Sequence, residues 1–176
     1  AQLTDAIATQ TGDLRFDAII GRNALVPGRE MTVVIPELIA EGRERYAGLP
    51  AHLVAAGHTL ASLLRADGVL SLAETMGQRS QRLYALVDLG RLNPGLAKRL
   101  VAAEEAIYEA GDDPWVNWDE KNLAASLEVA GFSAVTVDAV ETAAEARLQP
   151  ATLDRWFGVA PAGERPSYQQ RLALAL

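Results

Sequence analysis

The chain has 176 residues, 49% of them apolar, and a formal net charge of −7. This length predicts a single domain with a sizeable core, and the acidic balance, with 16 scattered lysines and arginines, speaks against direct nucleic-acid binding. The absence of cysteine excludes disulfides and thiolate metal sites. Because no apolar run approaches the ~20 residues of a membrane span and no signal peptide is visible, we expect a cytoplasmic protein that does not contact a membrane.

The first predicted element is a buried strand over residues 16–20, which ends in Gly21-Arg22-Asn23. Parallel strands are buried on both faces and read as nearly continuous apolar runs. Ligands of open α/β sheets bind at the carboxyl ends of such strands. Arg22 and Asn23 are therefore candidate site residues.

A helix over residues 51–65 follows, with Leu53, Gly57, Leu60 and Leu64 at helical spacing. After an Asp-Gly turn, residues 68–75 predict a second strand, so strand, helix and strand form a parallel crossover unit. Glu74 and Thr75 end the second strand and occupy the position equivalent to Arg22 and Asn23. Residues 31–35 fit either a short strand or the lead into a helix that starts at Pro36.

The rest of the chain predicts mostly helices. Asn93-Pro94 has the residue types of a helix start, and Asp119 is a predicted helix cap. The predicted helices span residues 78–89, 94–110, 120–130, 150–157 and 167–176, a third strand spans 133–140 with Val135 and Val137 on one face, and residues 141–149 fit a strand or a short helix.

Several side-chain patterns argue against common catalytic sites. His52 and His58 are six residues apart on one predicted helix, so they cannot bind one metal ion together. The chain has no Gly-x-Ser-x-Gly elbow and no phosphate-binding loop. Glu104 and Glu105 are interpreted as a solvated pair. Trp115 and Trp118 fit either loop anchors or a surface that stacks on a base.

The order of these segments resembles the second half of class I S-adenosylmethionine-dependent methyltransferases. In that family a Phe-Asp strand is the fourth of the sheet, a Leu-Leu-x-x-x-Gly-x-Leu segment forms the fifth, and an Ala-Gly-Phe turn precedes the sixth, which pairs with an antiparallel seventh. The matching residues are Phe16-Asp17, the segment 64–74 and Ala130-Gly131-Phe132.

The resemblance implies an incomplete Rossmann-like three-layer α/β sandwich with a mostly parallel sheet and an antiparallel edge strand. It covers a partial domain over residues 1–149, and residues 150–176 are expected to form a helical extension. Residues 81–86, 103–108 and 113–118 also resemble a methyltransferase-like region of some bacterial, notably cyanobacterial, AAA-type ATPases similar to the replication-associated recombination family.

The chain departs from the methyltransferase pattern in one respect. It contains no Gly-x-Gly, whereas the family places a Gly-x-Gly-x-Gly turn and an acidic ribose-binding residue well before the position of Phe16. We therefore expect a fragment that is not catalytic alone, to which S-adenosylmethionine binds only if a missing N-terminal half completes it.

The resemblance assigns no catalytic, cofactor-binding or metal-binding residue. It implies that Arg22, Asn23, Glu74 and Thr75 line the substrate side of a pocket. The expected partner is the rest of a parent polypeptide or a second copy that completes the sheet. The alternative is a non-catalytic interaction module of an AAA-type ATPase in DNA replication or repair.

Overall fold

The computed structural model describes residues 15–25, 46–111, 113–143, 145, 147–161 and 165–175. The chain divides into two units, Ala1–Gln78 with Asp112–Ala139 and Arg79–Gly111 with Val140–Leu176. The predictions for residues 31–35 and for a helix from Pro36 lie outside the described residues. No helix in the described part of the chain has both the length and the apolar character needed to cross a bilayer.

The first unit is built on a parallel β–α–β arrangement, as predicted. Strand β1 spans Phe16–Arg22, helix α1 spans Ala51–Leu63, and strand β2 spans Leu64–Ala73 and pairs with β1 in parallel. The paired residues are Ala18 with Val69, Ile20 with Ser71, and Arg22 with Ala73. The fold thus mixes helices and strands around a two-stranded parallel sheet.

Strand β2 begins earlier than the sequence indicates. Between the pairs Phe16–Leu64 and Ala18–Val69, two steps along β1 correspond to five along β2. The predicted Asp-Gly turn therefore lies inside a strand irregularity instead of before the strand.

The core of this unit lies between α1, the inner face of β2 and helix α3, which spans Glu120–Val129. As predicted, Asp119 caps α3: its carboxyl accepts the N–H groups of Lys121 and Asn122, and Asn122 returns a bond to the Asp119 N–H. A Cβ on Gly57 would lie 2.9 Å from the Ala130 Cβ, so the glycine permits the close approach of α1 to the carboxyl end of α3. The core cluster comprises Leu25, Leu53, Ala56, Trp118, Leu123 and Leu127.

The prediction of a third strand over residues 133–140 is wrong. The alternation of side chains is present, because Val135 and Val137 pack against the core while their neighbours are exposed. A strand also needs a hydrogen-bonded neighbour, and the only sheet among the described residues contains β1 and β2 alone. The antiparallel edge strand is therefore absent from this part of the chain. The described positions of residues 141–149 have no regular structure either.

In the second unit, the predicted helix over residues 78–89 is also wrong. The chain forms short 3₁₀ turns at Leu83–Leu86 and Leu89–Arg91, after a turn at Gly77–Arg79. The carboxyl of Glu104 accepts the first N–H groups of the middle turn, and Asp88 caps the last turn by accepting the Gly90 N–H. Side-chain acceptors thus take the amides that a continuous helix would use.

The remaining predicted helices of this unit are present. Helix α2 spans Pro94–Tyr108 and is capped by Asn93, whose side chain accepts the Gly95 N–H. Helix α4 spans Pro150–Phe157, and helix α5 spans Tyr168–Ala175. Helix α5 packs against both α2 and α4, and the rings of Phe157 and Tyr168 meet edge to face with centroids 5.8 Å apart.

Candidate functional site

The carboxyl ends of β1 and β2 hold the polar residues that the sequence analysis selected. Asn23 follows β1 with a φ of 49°, in the left-handed region where Asn is enriched. Its N–H donates to the Ala73 carbonyl at 3.0 Å. Its side-chain oxygen accepts the N–H of Thr75 at 3.2 Å and the hydroxyl of Thr75 at 3.0 Å.

Glu74 joins the same two loops from the other side. One carboxyl oxygen accepts the Ala24 N–H at 2.7 Å, and the other accepts the Leu25 N–H at 3.3 Å. Leu25 belongs to the core cluster. The carboxyl therefore ties the loop after β1 to the end of β2 and helps to seat Leu25 in the core.

The structure thus brings together Asn23, Glu74 and Thr75, and the side-chain oxygens of all three are hydrogen-bonded to one another or to the loop backbone. Arg22 stands apart: its side chain is exposed, and no described residue forms an ion pair with it. A carboxyl that already accepts two N–H groups suits loop positioning better than proton abstraction. Their assignment to a substrate pocket stays a prediction.

We expect Asn23→Ala to lower the free energy of unfolding by about 2 kcal/mol. The variant loses two hydrogen bonds, and it places alanine, which unlike asparagine is not enriched in the left-handed region, at a positive φ. Asn23→Gly removes the same bonds without the backbone strain, so its cost should be about 1 kcal/mol. Urea denaturation of the three proteins measures both values. Equal stabilities for the two variants would contradict the strain contribution.

A second polar network, in the other unit, was missed by the sequence analysis. Glu104 is 0% exposed, so its interpretation as a solvated residue is wrong. Its two oxygens accept the N–H groups of Leu83 at 2.6 Å and Tyr84 at 2.9 Å, and after burial its carboxyl is the next cause of the raised pKa of Tyr168. A signal was available: Glu104 is four residues after Leu100 and three before Ile107, which places it on the apolar face of the helix.

Glu105 and Arg82 form the outer part of this network. The Arg82 Nε lies 3.2 Å from both carboxyl oxygens of Glu105, and the Tyr84 hydroxyl donates to Glu105 at 2.5 Å. The Arg82 guanidinium also lies 3.7 Å from the centroid of the Tyr108 ring, a cation–π geometry. Every charged group of the set thus has a partner.

The electrostatics of this network favour neutral tyrosines. The hydrogen bond to Glu105 raises the pKa of Tyr84, and burial raises the pKa values of Tyr108 and Tyr168. The hydrogen bond from Tyr84 in turn lowers the pKa of Glu105. A general base needs a pKa near the working pH, and the pKa values of these three tyrosines and of Glu105 are shifted away from neutral pH.

The two histidines have separate environments. His52 is 4% exposed, and burial lowers its pKa to about 4. The Nε2 of His58 lies 3.1 Å from the Tyr46 hydroxyl. Within the ranges that the structure describes, no three histidine, aspartate or glutamate side chains are grouped so as to hold a metal ion.

The two tryptophans differ in their exposure to solvent. Trp118 is buried in the core cluster, so it anchors its loop. Trp115 is partly exposed, and its carbonyl oxygen would clash with a Cβ on Gly77. The absence of a side chain at Gly77 therefore permits the close approach of the two loops.

Comparisons of the chain with protein-family models, with curated proteins and with solved structures found no match.

Proposed function

We propose that this chain is a methyltransferase-like fragment that does not transfer methyl groups by itself. The parallel β–α–β arrangement supports the proposal, since it has the strand order that the resemblance implies. The observation that carries it is the engagement of Asn23, Glu74 and Thr75 with one another and with the loop backbone.

The chemistry of the strand ends supports the same conclusion. A methyl transfer to a nitrogen or oxygen needs a bound cofactor and, for many acceptors, a base. The sequence has no Gly-x-Gly at which the backbone could approach a cofactor closely. Arg22 supplies an exposed cation but no proton acceptor. In a complete Rossmann-like three-layer domain, Arg22 would contact an anionic group of the substrate.

Calorimetric titration with S-adenosylmethionine tests the proposal. The 176-residue chain is expected to give no binding heat, and tight binding would overturn the claim. The same titration on the full gene product should detect binding, and Arg22→Ala in that protein should lower the rate of methyl transfer more than cofactor affinity. If the full gene product binds no S-adenosylmethionine, the methyltransferase resemblance has no functional meaning and the second candidate is preferred.

The second candidate is a non-catalytic interaction module, and a separate observation favours it. The outer face of the sheet exposes 84% of Ile20 and 61% of Val69, whereas parallel sheets are normally covered on both faces. The specific proposal of an AAA-type ATPase in DNA replication or repair rests on the resemblance of residues 81–86, 103–108 and 113–118.

The gene sequence and one assay test this second role. A Gly-x-x-x-x-Gly-Lys-Ser/Thr loop in the same polypeptide is expected, and removal of residues 15–175 should change its DNA-stimulated ATPase rate. If the gene encodes no such loop, the ATPase association is wrong. An unchanged rate would mean that the module does not serve the ATPase.

A further inference from the structure

Among the described residues of the first unit, the outer face of the two-stranded sheet carries exposed apolar side chains, Ile20 and Val69, that the loops at the strand ends do not use. Strand pairing places Ala18 beside Val69 and Ile20 beside Ser71, and all four side chains are exposed. The opposite face is used: Leu70 of β2 packs against the core cluster. Exposed apolar faces rimmed by polar residues are typical of protein interaction sites.

The dimensions of this face match a single helix. A strand of seven residues such as β1 is about 23 Å long, and two strands are about 10 Å wide. A helix with its side chains is about 10 Å in diameter. The surface is therefore as wide as one helix, and α4, a helix of eight residues and so about 12 Å long, would cover about half of the strand length.

Helix α4 of the second unit exposes an apolar stripe with the required chemistry. Leu153 and Phe157, four residues apart on one helix face, are 41% and 48% exposed. Helical periodicity places Asp154 at the side of this stripe and Arg155 opposite it. The stripe therefore has an aliphatic residue, an aromatic residue and a flanking carboxylate.

The charges of the two surfaces are complementary. Arg22 is two residues after Ile20, so both side chains lie on the outer face of β1, with Arg22 at its carboxyl end. Within the described residues, neither Arg22 nor Asp154 is in an ion pair. An arginine beside one apolar surface and an aspartate beside the other would fix the direction in which the helix lies.

We propose that helix α4 of a second copy of this chain packs on the outer sheet face, with its Asp154 beside Arg22. This inference rests on the interaction role proposed above. Each copy carries both surfaces, so a second copy supplies the occupant and the association needs no other partner. One helix on two strands buries less than the roughly 800 Å² per partner of a standard interface, and we expect a concentration-dependent dimer with a Kd on the order of micromolar.

Sedimentation equilibrium between about 1 μM and about 1 mM measures the mass of the chain. The mass should rise from 18.8 kDa toward twice that value. Ile20→Asp and Phe157→Asp should each weaken association at least tenfold. Leu174→Asp, at an exposed leucine of α5, is the matched control and should leave the dimer unchanged.

A charge exchange tests the orientation of the helix. Arg22→Asp and Asp154→Arg should each weaken the dimer severalfold, and the double variant should restore the wild-type Kd. If the loss of binding free energy in the double variant equals the sum of the losses in the two single variants, Arg22 and Asp154 are not in contact.

Cross-linking identifies the contact directly, because the chain has no cysteine of its own. A mixture of Ile20→Cys chains and Phe157→Cys chains should form a disulfide between the two variants faster than either variant alone. A monomer at every concentration, or preferential linkage of two Ile20→Cys chains to each other, would overturn the inference. Neither result would affect the cofactor proposal, which only binding of S-adenosylmethionine by the 176-residue chain would overturn.

Discussion

Glu104→Gln is expected to lower the free energy of unfolding by about 2–3 kcal/mol. The two carboxyl oxygens of Glu104 accept the N–H groups of Leu83 and Tyr84 inside the protein. A glutamine of the same shape has one oxygen and one NH₂ group, so one of the two N–H groups would face another donor. Glu104→Ala leaves both N–H groups unsatisfied and should cost about 3–5 kcal/mol.

Urea denaturation followed by circular dichroism measures the change, and amide hydrogen exchange locates it. The Leu83 and Tyr84 amides should lose protection in both variants. Glu109→Gln provides the control, because Glu109 is an exposed residue at the end of the same helix, and its effect should stay within about 0.5 kcal/mol. A Glu104→Gln protein as stable as the wild type would show that the buried carboxyl does not hold the 3₁₀ turns.

Acidification from pH 7 to pH 4 is expected to destabilise the chain by about 3 kcal/mol through His52 alone. Burial lowers the pKa of this imidazole from 6.5 to about 4 in the folded chain, and its Nε2 has no hydrogen-bond partner. Between these two pKa values the unfolded chain binds a proton that the folded chain does not. The free energy of unfolding therefore falls as the pH drops through this window and is unaffected by His52 above it.

Unfolding curves at several pH values for the wild type and for His52→Leu separate this contribution from that of the carboxyl groups. The difference in stability between the two proteins should shift by about 3 kcal/mol in favour of the variant between pH 7 and pH 4. Val54→Ala, at another buried position of the same helix, removes no titrating group and should lower the free energy of unfolding by the same amount at pH 7 and pH 4. A pH-independent difference between wild type and His52→Leu would mean that His52 titrates alike in both states.

Local sequence signals predicted the elements whose ends are set by neighbouring residues. Asn93 and Asp119 cap their helices as expected, and helix α4 begins at Pro150 and ends before Gly158. The parallel pairing of β1 and β2 was predicted as well, although its partners lie about fifty residues apart, because a strand, a helix and a second strand in succession favour a parallel crossover. Caps depend on neighbouring residues and the crossover on the order of the elements, and a sequence pattern can reveal both.

The predictions that were wrong concern residues whose partners are distant in sequence. The 3₁₀ turns depend on Glu104, which is 21 residues after Leu83, and no periodicity in residues 78–89 indicates that acceptor. Residues 133–140 have the alternation of a strand, but alternation reports side-chain burial and not backbone pairing.

The sequence by itself determined the mixture of helices and strands, the capped starts of helices α2 and α3, and the selection of Asn23, Glu74 and Thr75 as residues that meet at one end of the sheet. Only the tertiary structure decided what those residues do there. Their hydrogen bonds join positions about fifty residues apart along the chain. Packing imposes the loop geometry, and that geometry decides which acceptor binds which N–H group. A polar group in these loops bonds to the nearest partner of suitable geometry, whatever the separation of the two residues along the sequence.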